Sequence, residues 1–192
     1  MAVPTINTYI SDMLAVETHI ATPLENQVND SDVTAQPTAF KVVRETLDIV
    51  QQHIGRLEAR LDAVGGHAGA PVKNAVTTAV GAAAAAINNV RKTGVSKSLR
   101  DDYTALSLSS AGYTMLHTTA LGLGDTETAA LAQQHLADVA TQIMKIGSVL
   151  PVVVLAELSE EGATIDPTVS SQAESDANAA WKAGAARSAT PV

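Results

Sequence analysis

Cysteine is absent from the 192-residue sequence, which excludes disulfide frameworks, thiolate metal sites and cysteine nucleophiles together. Aromatics are scarce, with one Trp, one Phe and three Tyr. The core must therefore be built from Ala, Val, Leu and Ile, whose small side chains suit closely spaced helices. Positive charge is also in deficit: 12 Lys and Arg face 20 Asp and Glu, for a formal charge of -8. Nucleic acid is recognised by clustered Lys and Arg that neutralise phosphates, so it is not an expected partner, and an anionic membrane surface is disfavoured for the same reason. The opening MAVPTINTYISDML has no basic segment leading into an apolar core and cleavage site, and the expectation is a cytoplasmic location. The most apolar stretch, residues 143–158, carries Lys145 and Glu157 and is shorter than the roughly 20 apolar residues of a membrane span. It is predicted to be a buried helix, and no membrane span is expected.

What the sequence does have is apolar spacing in alternating steps of four and three, which lays residues along one stripe of a helix. Ile6, Ile10, Met13, Glu17, Ile20 and Leu24 form the first such seam, with Pro23 expected to kink or end the helix. The loop NDSDVTAQP follows. Phe40, Val43, Leu47, Val50, Ile54, Leu57, Leu61 and Val64 keep the step through a second long helix, stopped by GGHAGAP. An Ala-rich helix is predicted over 72–90, supported by the high helix propensity of Ala. Tyr103, Leu106, Ser110, Tyr113, His117 and Ala120 then mark another helix, ended by Gly124, with Asp125 available to cap the next. Ala132, Leu136, Val139, Ile143, Ile146, Leu150 and Val153 mark the last long one, with Pro151 as a kink. From 160 onward the pattern fades into a tail with a short helix around 175–186.

The predicted fold class is all-α: an up-and-down four-helix bundle with the Ala-rich helix between the second and third main helices. The bundle occupies 1–159 and the tail 160–192.

Glu17 is the residue where chemistry could start. An ionisable group in a seam of Ile, Met and Leu must be paired, protonated or bound to a cation. As a metal ligand it would belong with His53, Asp138 and His135; as a structural residue it would reach a hydroxyl, a Lys or the bundle end. No E-x-x-H pair precedes His53, while His135 and Asp138 are a turn apart in reversed order. Asp48 and Glu45 sit on neighbouring faces, and His19, His67 and His117 read as structural. In the third main helix SLSSAGY offers hydroxyls where a di-metal bundle uses a carboxylate, and Asp101 and Asp102 read as partners of a helix N-terminus. No Gly-x-Ser-x-Gly elbow marks a hydrolase, and GGHAGAP lacks the Gly-Lys-Ser/Thr ending of a phosphate loop.

Together SDMLAVETHI, QQHIGRLEARL and AGYTMLHTTALGLGDTETAALAQQHLADVA resemble the YciE/YciF-like ferritin-like proteins, a stress-associated family, over roughly residues 5–158. Asp12 and Glu17 match an acidic D-x-x-x-x-E start, 53–58 an H-V-E-R-L-E-like turn and 113–124 a Y-x-x-L-x-x-x-A-x-x-L-G run. The resemblance implies a ferritin-like four-helix bundle that forms a homodimer or higher homo-oligomer, with a di-iron centre in members that keep its ligands. Here the acid of the third helix falls near Ser109 and that of the last is shortened to Asp138. Two metals need more anions than Glu17, Asp48 and Asp138 supply.

The functional expectation is a non-catalytic bundle in stress physiology, acting by self-association or through a protein partner and without a cofactor. The alternative is an iron- or manganese-dependent oxidase or iron-handling protein on a reduced ligand set of Glu17, His53, Asp138 and His135. A third class, a lipid- or small-ligand-binding bundle, rests on IGSVLPVVVLAEL and a core of small residues.

Overall fold

The computed structural model describes residues 5–66 and 94–188. It holds helices α1 (Ile6–Gln27), α2 (Ser31–Thr34), α3 (Pro37–Ala63), α4 (Val95–Leu123), α5 (Thr126–Glu160) and α6 (Val169–Ser188), with no strand among the described residues. The Ala-rich helix predicted over 72–90, and His67, lie outside the described residues.

The four long helices α1, α3, α4 and α5 form a ring of neighbours. α1 packs on α3 and α4, and α5 on α3 and α4. Their seams meet at the centre, where Ile10, Leu24, Leu57, Leu99, Leu116 and Ala132 are fully buried. A Cβ added to Gly112 of α4 would collide with the Met13 thioether of α1, so the missing side chain leaves room for that sulfur between the two helices.

The seams of α1 and α3 are the predicted ones, and both include buried polar residues, Glu17 in α1 and Thr46 and His53 in α3. In α4 the buried line is Asp102, Leu106, Ser109, Tyr113, Leu116 and Ala120, one step round from Tyr103, Ser110 and His117. In α5 it includes Thr128, His135 and Gln142 beside Ala132, Val139, Ile146 and Val153.

Several local expectations are corrected. The segment after α1 is not all loop: Asp30 accepts from the N–H groups of Asp32 and Val33 and caps the short α2, and Pro37, whose absent N–H costs nothing at a first turn, opens α3. Of the two outcomes expected at Pro23, an end is excluded, since α1 runs on to Gln27; Pro151 lies inside α5, which runs on to Glu160. Asp102 is no exposed partner of a helix end; it is buried and accepts from Gln27 Nε2 of α1 at 2.9 Å. The stretch 143–158 is buried only at Ile146 and Val153, while Met144, Val152, Val154 and Leu158 are exposed. By length and composition α5 could cross a membrane, and 22% of its most apolar window is buried inside the fold. The tail helix α6 is longer than predicted and buries none of its residues.

The α4–α5 turn follows its sequence. Gly124 takes φ 73 and stops α4, a conformation glycine adopts without steric cost. Asp125 then accepts from Thr128 N at 3.0 Å as the N-cap of α5. Arg60 at the end of α3 reaches this turn, pairing with Asp125 at 2.6 Å and with Glu127, and donating to Thr128 Oγ1 at 2.7 Å.

Candidate functional site

Four helices each contribute to one buried polar cluster at the middle of the bundle. Glu17 comes from α1, His53 from α3, Ser109 and Tyr113 from α4, and His135 from α5; all are at most 1% exposed. Asp138, one turn beyond His135 on α5, closes the cluster from its half-buried edge.

The acid is held by a hydroxyl. Ser109 Oγ donates to Glu17 Oε1 at 2.6 Å, a short charge-assisted geometry. The other carboxylate oxygen, Oε2, lies 3.7 Å from His53 Nδ1, beyond hydrogen-bond reach, and both atoms are buried without a partner. On its opposite side His53 Nε2 is 3.3 Å from Asp138 Oδ2, and Gln134 Nε2 donates to the other oxygen of Asp138 at 3.0 Å. One imidazole thus lies between two carboxylates from two helices, within hydrogen-bond reach of Asp138 alone.

The second imidazole lies flat on the first. The rings of His53 and His135 stack with centroids 3.8 Å apart and planes 14° from parallel, and Tyr113 stands edge-on to both. Its hydroxyl is 3.0 Å from His135 Nδ1. Burial pushes the His135 pKa down to about 3, with His53 and Arg56 adding to the effect, so this ring is neutral near pH 7. Burial also raises the Tyr113 ionisation, as does the charge of Glu17, and the phenol keeps its proton. His135 Nε2 is a third buried atom with no partner.

The structure therefore brings together all four residues singled out from sequence: Glu17, His53, Asp138 and His135. It does not bring Asp48, which is exposed, into the cluster. His19 is partly buried on α1, and His117 Nδ1 donates to the Ala129 carbonyl at 2.8 Å, a helix-to-helix bond. Tyr113 and Ser109 are the members that apolar pattern-reading missed as site residues, although both fall on steps of four or three along α4.

A di-metal centre does not fit this donor set. Two divalent cations need several anionic ligands, and the position on α4 facing Glu17 is a serine. A single cation meets a different obstacle. An imidazole binds a metal within its ring plane at roughly 2 Å, and two nearly parallel stacked planes share no such point, so one ring would have to turn. Among the described residues no group of three or more acidic or imidazole side chains is preassembled as a metal site.

No family model, no curated protein and no solved structure matches the chain. What the fold and cluster define is an all-α protein with an acid, two imidazoles and a phenol at the centre of its helices.

Proposed function

We propose that this protein is a non-catalytic, ferritin-like four-helix bundle that acts by self-association or against a protein partner, in the stress setting of the YciE/YciF-like family it resembles. The observation that carries the reading is the bond from Ser109 to Glu17. Where a di-metal bundle would need a further carboxylate, this chain places a hydroxyl that donates to the acid, and the acid is satisfied on that side without a cation.

Self-association is supported by the outward face of α4 and α5. No Asp, Glu, Lys or Arg occurs over 103–124, and Asp138 is the only one over 128–144, its carboxylate turned to His53. Leu108, Met115, Leu121 and Met144 are exposed there. Two copies that each carry a formal charge of -8 meet least repulsion where neither presents charge.

Elemental analysis of the purified full chain, combined with sedimentation velocity, tests the reading. The expected result is an assembled protein with substoichiometric metal. About two irons or manganese per chain with oxygen- or peroxide-dependent turnover, the stoichiometry of a dinuclear site, would overturn it.

One observation favours a second reading, a mononuclear metal protein. The three unpartnered atoms, Glu17 Oε2, His53 Nδ1 and His135 Nε2, are one carboxylate and two imidazoles, the donor set of non-haem iron sites. In that reading Tyr113 would release His135 as its ring turns off His53, and a bound cation would supply Lewis-acid or redox chemistry. Cobalt(II) titration separates the two: ligand-field bands that vanish in Glu17→Gln and His135→Ala support this second reading, and their absence leaves the first.

A further inference from the structure

The C-terminal half of α5 carries apolar side chains that the bundle leaves uncovered. Val152 and Val154 are exposed, and α6, which packs against α5, buries nothing of its own. Between these helices and the first turns of α4 lies an open cleft of about 500 Å³, within the roughly 300–1,000 Å³ typical of small-ligand sites. Leu150, Val154 and Leu155 line it from α5, and Val169 and Ala173 from α6. A second hollow of about 230 Å³ shares Leu155 and Ser170 with the first and runs on to Val152, Ile165 and Pro167.

The two hollows differ in charge. Lys97 and Arg100, one turn apart on α4, line the first, and no charged residue lines the second. Arg100 shares its guanidinium with Asp101 at 2.7 Å, while Lys97 makes no ion pair among the described residues. The nearby Glu157 carboxylate is taken up by the backbone N–H and hydroxyl of Ser96. A path that is cationic at one end and uncharged and largely apolar at the other has the polarity of an amphipathic monoanion. In a chain with 12 basic residues against 20 acidic ones, two cations beside an apolar cleft are a specific complement to a carboxylate head.

We propose that this cleft binds a free fatty acid, its carboxylate at Lys97 and Arg100 and its acyl chain along α5 toward Ile165 and Pro167. The ligand would cover the side chains that α6 leaves open. Trp181, the one tryptophan of the chain, stands 63% exposed on α6 and serves as a built-in reporter of that helix.

The test uses the delipidated full chain and laurate, with 1-dodecanol and dodecyltrimethylammonium as neutral and cationic counterparts of the same chain length. Calorimetry and Trp181 fluorescence read the binding. Laurate should bind saturably, one per chain, and more tightly than either counterpart. The Lys97→Glu/Arg100→Glu double variant should weaken laurate about tenfold or more, the equivalent of one lost charge pair, and leave dodecanol unchanged. Val154→Asp, at a site already 41% exposed, should abolish laurate binding with the circular dichroism intact. Absent saturation, equal affinity for the three head groups, or laurate binding indifferent to these variants would overturn the proposal. So would a wild-type dimer that Val154→Asp converts to monomer, since a second copy would then be the occupant.

Discussion

Ser109 on α4 holds Glu17 on α1 through a 2.6 Å hydrogen bond with both side chains fully buried. Ser109→Ala strands one carboxylate oxygen in the core, and an unsatisfied buried acceptor costs about 1–3 kcal/mol. For a chain of this size that lowers the Tm by roughly 2–4 °C per kcal/mol. Replacing both partners, Glu17→Met with Ser109→Ala, removes the stranded group and should cost less than Ser109→Ala alone. Urea unfolding of the two single variants and the double decides it, and simple additivity would refute the pairing.

Buried Asp102 and half-buried Gln27 form the second polar pair between these helices. Gln27 Nε2 donates to Asp102 Oδ1, leaving Asp102 Oδ2 and Gln27 Oε1 both without a partner. One proton on Oδ2, donated to Gln27 Oε1, would satisfy both at once. Burial raises the Asp102 pKa to about 7, against the smaller lowering by Gln27 and with a further push from Asp101. A raised folded-state value gives stability that is fully present below the unfolded value near 3.9 and lost as the pH rises toward 7. Over about three units this amounts to some 4 kcal/mol at most, at 1.36 kcal/mol per unit. Asp102→Asn, whose amide can make the same pair at any pH, should be more stable than wild type at pH 8, lose most of that advantage by pH 5 and all of it below the unfolded value. A difference that stays flat over this range would show that Asp102 does not titrate there.

The helices were legible because apolar periodicity is a local property. The α1 and α3 seams were traced residue by residue, and the Gly124–Asp125 turn carried its own chemistry. Among the polar members Glu17 is legible because it interrupts an oily row, whereas His53, His135 and Asp138 are legible by residue type and not by the apolar pattern. Ser109 and Asp102 sit on the true α4 seam, yet a trace that follows hydrophobicity passes to Ser110 and Tyr103 beside them, because Leu106, Tyr113 and Ala120 fit either line. His135 and Gln142 were displaced from the α5 trace by Leu136 and Ile143 in the same way. Partners such as Ser109 for Glu17 are 92 positions apart, and no local pattern encodes that distance. The uncovered half of α5 reads as buried in the sequence because composition cannot tell a core helix from one that extends past its neighbours.

Arg60 ties the end of α3 to the α4–α5 turn through Asp125, Glu127 and Thr128. Burial opposes ionisation of Asp125, but Arg60 and the two Thr128 bonds outweigh it and hold its pKa down at about 2. A lowered folded-state value gives stability that is present above the unfolded value and lost as the pH falls through about 2. Asp125→Ala loses the N-cap together with the ion pair and should cost about 1–3 kcal/mol, undiminished from pH 5 to 8. Glu127→Ala, at a side chain 78% exposed, should be nearly silent, within about 0.5 kcal/mol. Thermal melts of both variants across that range separate them; equal losses would mean that the pair with Glu127 carries the tie.

Self-association through the uncharged face of α4 and α5 makes two demands. Leu108→Glu and Met115→Glu alter side chains 52% and 57% exposed, so the folded chain should tolerate each, with stability within about 0.5 kcal/mol. In an assembly, however, each would place an unpaired carboxylate on the contact, and sedimentation velocity should show dissociation toward monomer. Salt supplies the second demand. Copies that each carry a formal charge of -8 repel one another over about 10 Å at 0.1 M salt and much less at 1 M, so an apolar contact should tighten as salt rises. An association that weakens with salt, or that survives both substitutions, would place the interface elsewhere on the chain.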